Sequence, residues 1–315
     1  MKTFKRLFYA LLSAALCVVA CVPAQAVAEG KGVCYRVSGG RNELFLLGSI
    51  HIGSESMYPV CDEIADALSA SDVLVLECDT ENPSVVAQIN AMMRYSDDDQ
   101  LSDHLSAETY ELLRQVCDQT GYSLAMMDRL RPWAVVSVFS LKSTAAEMGV
   151  ADVSHAVALG VETQICALAG DKRRAYLETA VDQLAVLDGF SPELQEYLLQ
   201  TVLRTILEPE RYTQPGDADI AKWADWWQTG DADAFAASYL SGLEVDPEPE
   251  LAREYHAGLV SKRNQTMAQG LQRLMESDEP HRYFAVVGLL HLALPNDSIL
   301  SNLREMGYTV QKVGE

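Results

Sequence analysis

A Gly-x-x-His pattern closes an apolar run twice in this chain, 240 residues apart, and that pairing constrains the fold more than any other feature. The first copy reads Leu44-Phe45-Leu46-Leu47-Gly48-Ser49-Ile50-His51, and the second Tyr283-Phe284-Ala285-Val286-Val287-Gly288-Leu289-Leu290-His291. Apolar runs of this length and β-rich composition predict buried strands. A glycine at a strand end lets the backbone turn sharply or pass close to another group. Open α/β sheets bind ligands beyond the carboxyl ends of their strands, where two such histidines would meet. Neutral imidazole is the commonest metal ligand, so a shared metal site is the sharper expectation. The plainer alternative is two unrelated histidines near strand ends.

The rest of the chain supplies strands and helices around these two runs. Val33 to Val37 and Glu43 to Leu47 predict a hairpin across Ser38-Gly39-Gly40-Arg41-Asn42. After a helix opened by Pro59, Val73-Leu74-Val75-Leu76 forms a buried strand that ends in Glu77. The pattern from about Pro83 to Gly170 is helical, with apolar residues three and four apart. Ala175-Tyr176-Leu177 predicts a short strand delivering Glu178. Helices follow from Val181 to about Gln228 and from about Pro249 to Glu276, with a break at Asp246-Pro247-Glu248-Pro249-Glu250. A helix from near Pro295 and a strand over Tyr308 to Val313 finish the chain. The expectation is an α/β fold: a mixed central sheet formed by N- and C-terminal segments, with a large helical insertion around 83–280. Residues 27–315 would form one such domain. Trp223, Trp226 and Trp227 lie at helical spacing and fit packing better than a ligand platform.

Residues 1–26 have the form of a targeting segment. Lys2, Lys5 and Arg6 precede an apolar stretch from Leu7 to Ala20, and Ala24-Gln25-Ala26 offers a small-residue cleavage site. Fourteen residues are short for a membrane span. Secretion is therefore expected, with a lipoprotein as the variant in which Val18-Val19-Ala20-Cys21 is lipidated at Cys21. The chain carries a net charge of −21, and removing the three basic and no acidic residues of the leader makes it −24. Such a charge argues against nucleic acid, and against an anionic membrane unless Cys21 carries a lipid. The run Asp97-Asp98-Asp99 fits a solvated loop better than a calcium site. Beyond the leader, Cys34, Cys61, Cys78, Cys117 and Cys166 form no Cys-x-x-Cys pair, and mostly apolar surroundings predict buried thiols.

Two glutamates match the histidines in position. Glu77 and Glu178 each follow a strand, where burial is costly unless a cation or hydrogen-bond donors meet the charge. His51, His291, Glu77 and Glu178 at one sheet edge would suit a first-row divalent ion, with one carboxylate spare to act as base. Solvent-facing glutamates at ordinary strand ends are the alternative. Arg263-Asn264, on an amphipathic helix with Leu259, Met267 and Leu271, would supply cationic and amide donors to an oxyanion or a substrate carboxylate. An exposed helix face is the competing interpretation.

In order along the chain, Leu46-Leu47-Gly48-Ser49-Ile50-His51, Glu77, Arg131-Pro132-Trp133, Leu177-Glu178-Thr179 with Gln183, Arg263-Asn264 and Val287-Gly288-Leu289-Leu290-His291-Leu292 resemble the TraB/PrgY/GumN family. The tail Leu303-Arg304-Glu305-Met306-Gly307-Tyr308-Thr309-Val310 is similar to that family's closing segment, so the resemblance runs from about Val33 to Val313. The family is similar to the Tiki metalloproteases and, more distantly, to erythromycin esterases and haem-binding proteins. The resemblance implies a metal-dependent hydrolase, peptidase-like, with His51, His291, Glu77 and Glu178 as metal ligands. Glu77, Glu178, Arg263 and Asn264 would take the catalytic roles. The cofactor would be a divalent metal (Mn, Co or Zn), and the partner a peptide or small-molecule substrate. The alternative is a non-catalytic protein that sequesters peptides or binds haem or iron through the same histidines.

Overall fold

A computed structural model of the protein describes residues 29–212 and 220–314. The leader, with Ala24-Gln25-Ala26 and Cys21, lies outside the described residues. The architecture is a mixed six-stranded sheet with helices around it. Its strands are β1 (Cys34–Ser38), β2 (Glu43–Ser49), β3 (Val73–Leu76), β4 (Arg173–Tyr176), β5 (Arg282–Gly288) and β6 (Thr309–Lys312), in spatial order β4-β3-β5-β2-β1-β6. The expected hairpin is the antiparallel pair β1 and β2, and β6 also runs antiparallel to β1. The four strands β4, β3, β5 and β2 are mutually parallel, so their carboxyl ends share one edge.

Burial on both faces explains why these strands read as continuous apolar runs. Leu47, Leu74, Phe284 and Val286 enter the core on one face, while Leu44, Leu46, Val73, Val75, Ala285 and Val287 enter the other. A separate, mainly helical core gathers Leu113, Trp133, Phe139, Leu184, Leu198 and Tyr255. Trp223 and Trp227 are fully buried, as their spacing predicted, and Trp227 also donates its indole N–H to the Gly48 carbonyl at 2.7 Å. A residue from the helical region thereby holds the strand end that carries the first Gly-x-x-His.

Some boundaries differ from expectation. β4 begins two residues earlier, with its paired register Val73↔Arg173 to Leu76↔Tyr176, because pairing with β3 outweighs the polar character of Arg173 and Arg174. The helix expected near Pro295 starts at Ile299, where the Ser298 side chain caps it. The helix expected from Pro249 to Glu276 is interrupted by a π-helical turn, Ala257–Ser261. The five described cysteines are free thiols, with Cys34, Cys78 and Cys117 buried. Among the described residues no helix is long and apolar enough to cross a membrane.

Candidate active site

The four strand-end residues arrive on four adjacent parallel strands. Across the sheet edge from β4 to β2 the order is Glu178, Glu77, His291, His51. In the β2–β5 register Ser49 stands opposite Gly288, so the two Gly-x-x-His copies run side by side one residue out of step. Both glycines stand where space is tight. A Cβ on Gly48 would lie 2.7 Å from Leu289 Cδ1, and one on Gly288 would lie 3.3 Å from the His291 ring and 3.4 Å from Glu77 Oε1. The Leu289 N–H bonds the Ser49 carbonyl at 2.8 Å, and the Glu178 N–H bonds the Glu77 carbonyl at 2.8 Å, which ties the strand ends together in pairs.

Burial answers the question the sequence left open. His51 is 8% exposed, Glu77 4%, Arg263 7% and His291 1%, so these are not solvent-facing strand ends. The cost of burying Glu77 is met by donors. Its Oε1 accepts the Gly288 N–H at 2.6 Å, and its Oε2 accepts Arg263 Nη2 at 2.6 Å and Gln183 Nε2 at 3.1 Å. Glu178 Oε2 accepts Arg263 Nε at 3.0 Å and Nη2 at 2.9 Å, and also Gln183 Nε2 at 3.1 Å. Thr179 caps the helix Ala180–Asp188, which places Glu178 just ahead of its first turn and Gln183 one turn inside it. Burial raises the pKa of Glu77, but the charge of Arg263 outweighs it, helped by His291, His51 and the Gly288 N–H, and the carboxyl falls to about 2.

Each histidine has one nitrogen fixed by a partner. Asn264 donates Nδ2 to the Asp297 carbonyl at 2.7 Å, so its Oδ1 faces His291 and accepts Nδ1–H at 2.7 Å. The remaining nitrogen, Nε2, accepts Arg263 Nη1 at 3.2 Å. His291 is therefore the neutral Nδ1–H tautomer. Burial first, and then the Arg263 charge, lower its pKa to about 3. His51 donates Nδ1–H to Glu162 Oε2 at 2.6 Å, so in the neutral ring the lone pair is on Nε2. Burial works to lower the pKa of His51, but the charge and hydrogen bond of Glu162, with Glu77 behind them, raise it overall.

Glu162 is the site residue that sequence reasoning missed. It stands in the first turn of the helix Val161–Ala169, which docks just past the end of β2, where the Val161 N–H bonds the Ile50 carbonyl at 2.9 Å. Gly160 just ahead of it leaves room for this approach, since a Cβ there would lie 2.2 Å from the His51 carbonyl oxygen. Arg263 and Asn264, both buried, start the helix that follows the π turn. π turns of this kind recur at functional sites.

A cavity of about 590 Å³ opens on the Glu178 and Arg263 side of the cluster, walled by Val85, Leu177, Ala180 and Val186, with Asp79, Asp182 and Lys262 also lining it. Its size and apolar walls suit a substrate segment. A smaller void of about 60 Å³ reaches Glu77, Glu162, Gln183 and Cys78. The Cys78 thiol donates to Gln183 Oε1 at 3.4 Å.

The model of one protein family matches residues 33–312, nearly the whole described chain. The chain belongs to the TraB/PrgY/gumN family. No curated protein and no solved structure matches it.

The residue types at the edge, two imidazoles with Nδ1 tied to an acceptor and two carboxylates, are ones that ligate divalent cations. Among the described residues, however, no group of three or more His, Cys, Asp or Glu side chains stands arranged to hold an ion. The Arg263 guanidinium lies among them instead, donating to Glu77 Oε2, Glu178 Oε2 and His291 Nε2.

Proposed function

We propose that this protein is an exported metal-dependent hydrolase of peptide bonds or closely related acyl bonds. One observation carries it: His51, His291, Glu77 and Glu178 come from four neighbouring parallel strands, and both histidines have Nδ1 held by an acceptor, the arrangement that presents Nε2 to a cation. His51, His291 and Glu77 would hold the ion, which when bound polarises a carbonyl and lowers the pKa of water toward ~7. Glu178, the glutamate of the cluster that reaches the large cavity, would be the general base toward water there. Arg263 lines the same cavity and donates to the oxyanion that forms there. Asn264 acts through His291 by fixing its tautomer. The basic and apolar leader supports export.

A screen of the purified chain against a broad peptide library, with chelator and with Mn²⁺, Co²⁺ or Zn²⁺ restored, tests this reading. Metal-restored cleavage that is lost in Glu178→Gln is the expected result. The pairing of Arg263 with both glutamates favours a second reading, a site that binds without turnover. Peptide binding with no cleavage under any metal would support it.

A further inference from the structure

The helix Pro249–His256, the π turn Ala257–Ser261 and the helix Lys262–Met275 follow one another without a break, and each turns one side chain onto Asp297. His256 Nε2 donates to Asp297 Oδ2 at 3.0 Å, the Ser261 hydroxyl donates to the same oxygen, and Asn264 Nδ2 donates to the Asp297 carbonyl at 2.7 Å. An ionised carboxylate only accepts, so the proton of a neutral His256 sits on Nε2, and Nδ1 takes the hydroxyl of the fully buried Tyr239 at 2.8 Å. In a regular α-helix of 3.6 residues per turn, His256 and Ser261 would point about 140° apart. The π turn removes that obstacle. The Lys262 N–H bonds the Ala257 carbonyl five residues back, so residues five apart stack one turn above the other.

We propose that Asp297 is a positioning residue for His291, and that the π turn serves to seat it. Asp297 follows His291 by six residues, and the Asn264 amide bridges the two. That amide has two orientations available to it. In the one observed, Nδ2 meets the Asp297 carbonyl and Oδ1 accepts the His291 Nδ1–H at 2.7 Å; in the other, two donors would face each other. Asn264 is wholly buried, so water cannot replace a lost partner. The Asp297 carbonyl therefore has to stay in place, and the two donors on Oδ2 of the same residue keep it there. His256 and Ser261 thus act through Asp297 and Asn264 on the tilt of the His291 ring. A ring held this way aims Nε2, whether that nitrogen serves as a ligand or as a proton acceptor. The positioning is independent of what Nε2 meets, so it stands apart from the hydrolase reading.

Exchange of the His291 Nδ1–H with solvent tests this, read by NMR on protein labelled with ¹⁵N-histidine, the resonance being assigned by its absence in His291→Gln. Asp297→Ala removes both bonds to Oδ2, and the ring proton should exchange roughly 3- to 10-fold faster than in the parent. The backbone amides of β5 should keep their parental protection, which a general loss of stability would lower as well. Asp297→Asn retains a side-chain oxygen that can accept from both His256 and Ser261, so it should restore the slow exchange. Parental exchange in Asp297→Ala overturns the proposal. So does Asp297→Asn exchanging as fast as Asp297→Ala, which would make the charge and not the bonds responsible. A parallel loss of protection across β5 overturns it too, by making Asp297 a general scaffold residue. Should Asp297→Ala not fold, Ser261→Ala decides: it removes one of the two donors, and faster ring-proton exchange supports the positioning while parental exchange refutes it.

Discussion

Glu162 accepts the Nδ1–H of His51 at 2.6 Å, although 111 residues separate them. A carboxylate behind a histidine fixes the ring and its tautomer and makes Nε2 a better donor to a cation. Glu162→Gln keeps the size and an acceptor but removes the charge. The charge and hydrogen bond of Glu162 are what overcome burial at His51, so its pKa should fall in this variant, as an NMR titration of the ring protons would record. Metal affinity should drop about 10- to 100-fold with the fold intact. An unchanged His51 titration would remove Glu162 from the site.

The two Gly-x-x-His copies were legible in the sequence because each follows a strand whose apolar run is long and unbroken. The carboxyl-end rule then brought both histidines to one edge, and Glu77 followed from the same logic. Glu178 was harder, since β4 contains Arg173 and Arg174 and its strand character comes from pairing with β3. Glu162 was not legible: it sits inside a helical stretch, and what brings it to His51 is the docking of a helix end on Ile50. Nor did spacing place Arg263 between the two glutamates. Its helix reads as amphipathic, and the π turn before it has no sequence signature.

Gly160 makes that docking possible. A Cβ there would meet the His51 carbonyl oxygen at 2.2 Å and its carbon at 2.8 Å, both backbone atoms with no rotamer to escape into. Gly160→Ala should cost about 1–3 kcal/mol of stability, the range of overpacking. It should also move the Glu162 carboxylate away from His51. Chemical denaturation measures the first effect and the His51 titration the second; a variant as stable as the parent would show that the helix end yields freely.

Arg131-Pro132-Trp133 belongs to the motif set but not to the chemistry. Arg131 donates Nη1 to both Asp188 oxygens at 3.0 and 3.2 Å, and the buried Trp133 donates its indole N–H to Asp188 Oδ1 at 2.9 Å. Asp188 ends the helix Ala180–Asp188, where a negative charge opposes the helix dipole, so these bonds account for an aspartate there. The clamp fixes the far end of the helix that delivers Gln183. Asp188→Ala leaves the Trp133 N–H buried and unpaired and should cost about 1–3 kcal/mol by denaturation. Metal affinity should change far less than in Glu162→Gln, and a larger loss of affinity than of stability would assign Asp188 a role in the site itself.

The two histidines should respond to acid in opposite ways. His291 has its pKa lowered to about 3, so between pH ~6.5 and about 3 the unfolded chain takes up a proton there that the folded chain refuses. Stability falls with acid across that window, by about 1.4 kcal/mol per pH unit for a full proton. Glu77, held down to about 2, acts in the same sense at lower pH: its contribution is complete above its ordinary value of 4.5 and is lost as pH falls through about 2. His51 has its pKa raised, so its contribution is complete below its ordinary value of 6.5 and is lost as pH rises through the folded value. In chelator-treated protein, His291→Gln should therefore flatten the loss of stability between pH ~6.5 and 4, and His51→Gln should flatten the loss on the alkaline side. Denaturant melts at stepped pH read both. If His291→Gln leaves the acid limb as steep as in the parent, His291 is not the buried neutral imidazole that the Asn264 and Arg263 bonds describe.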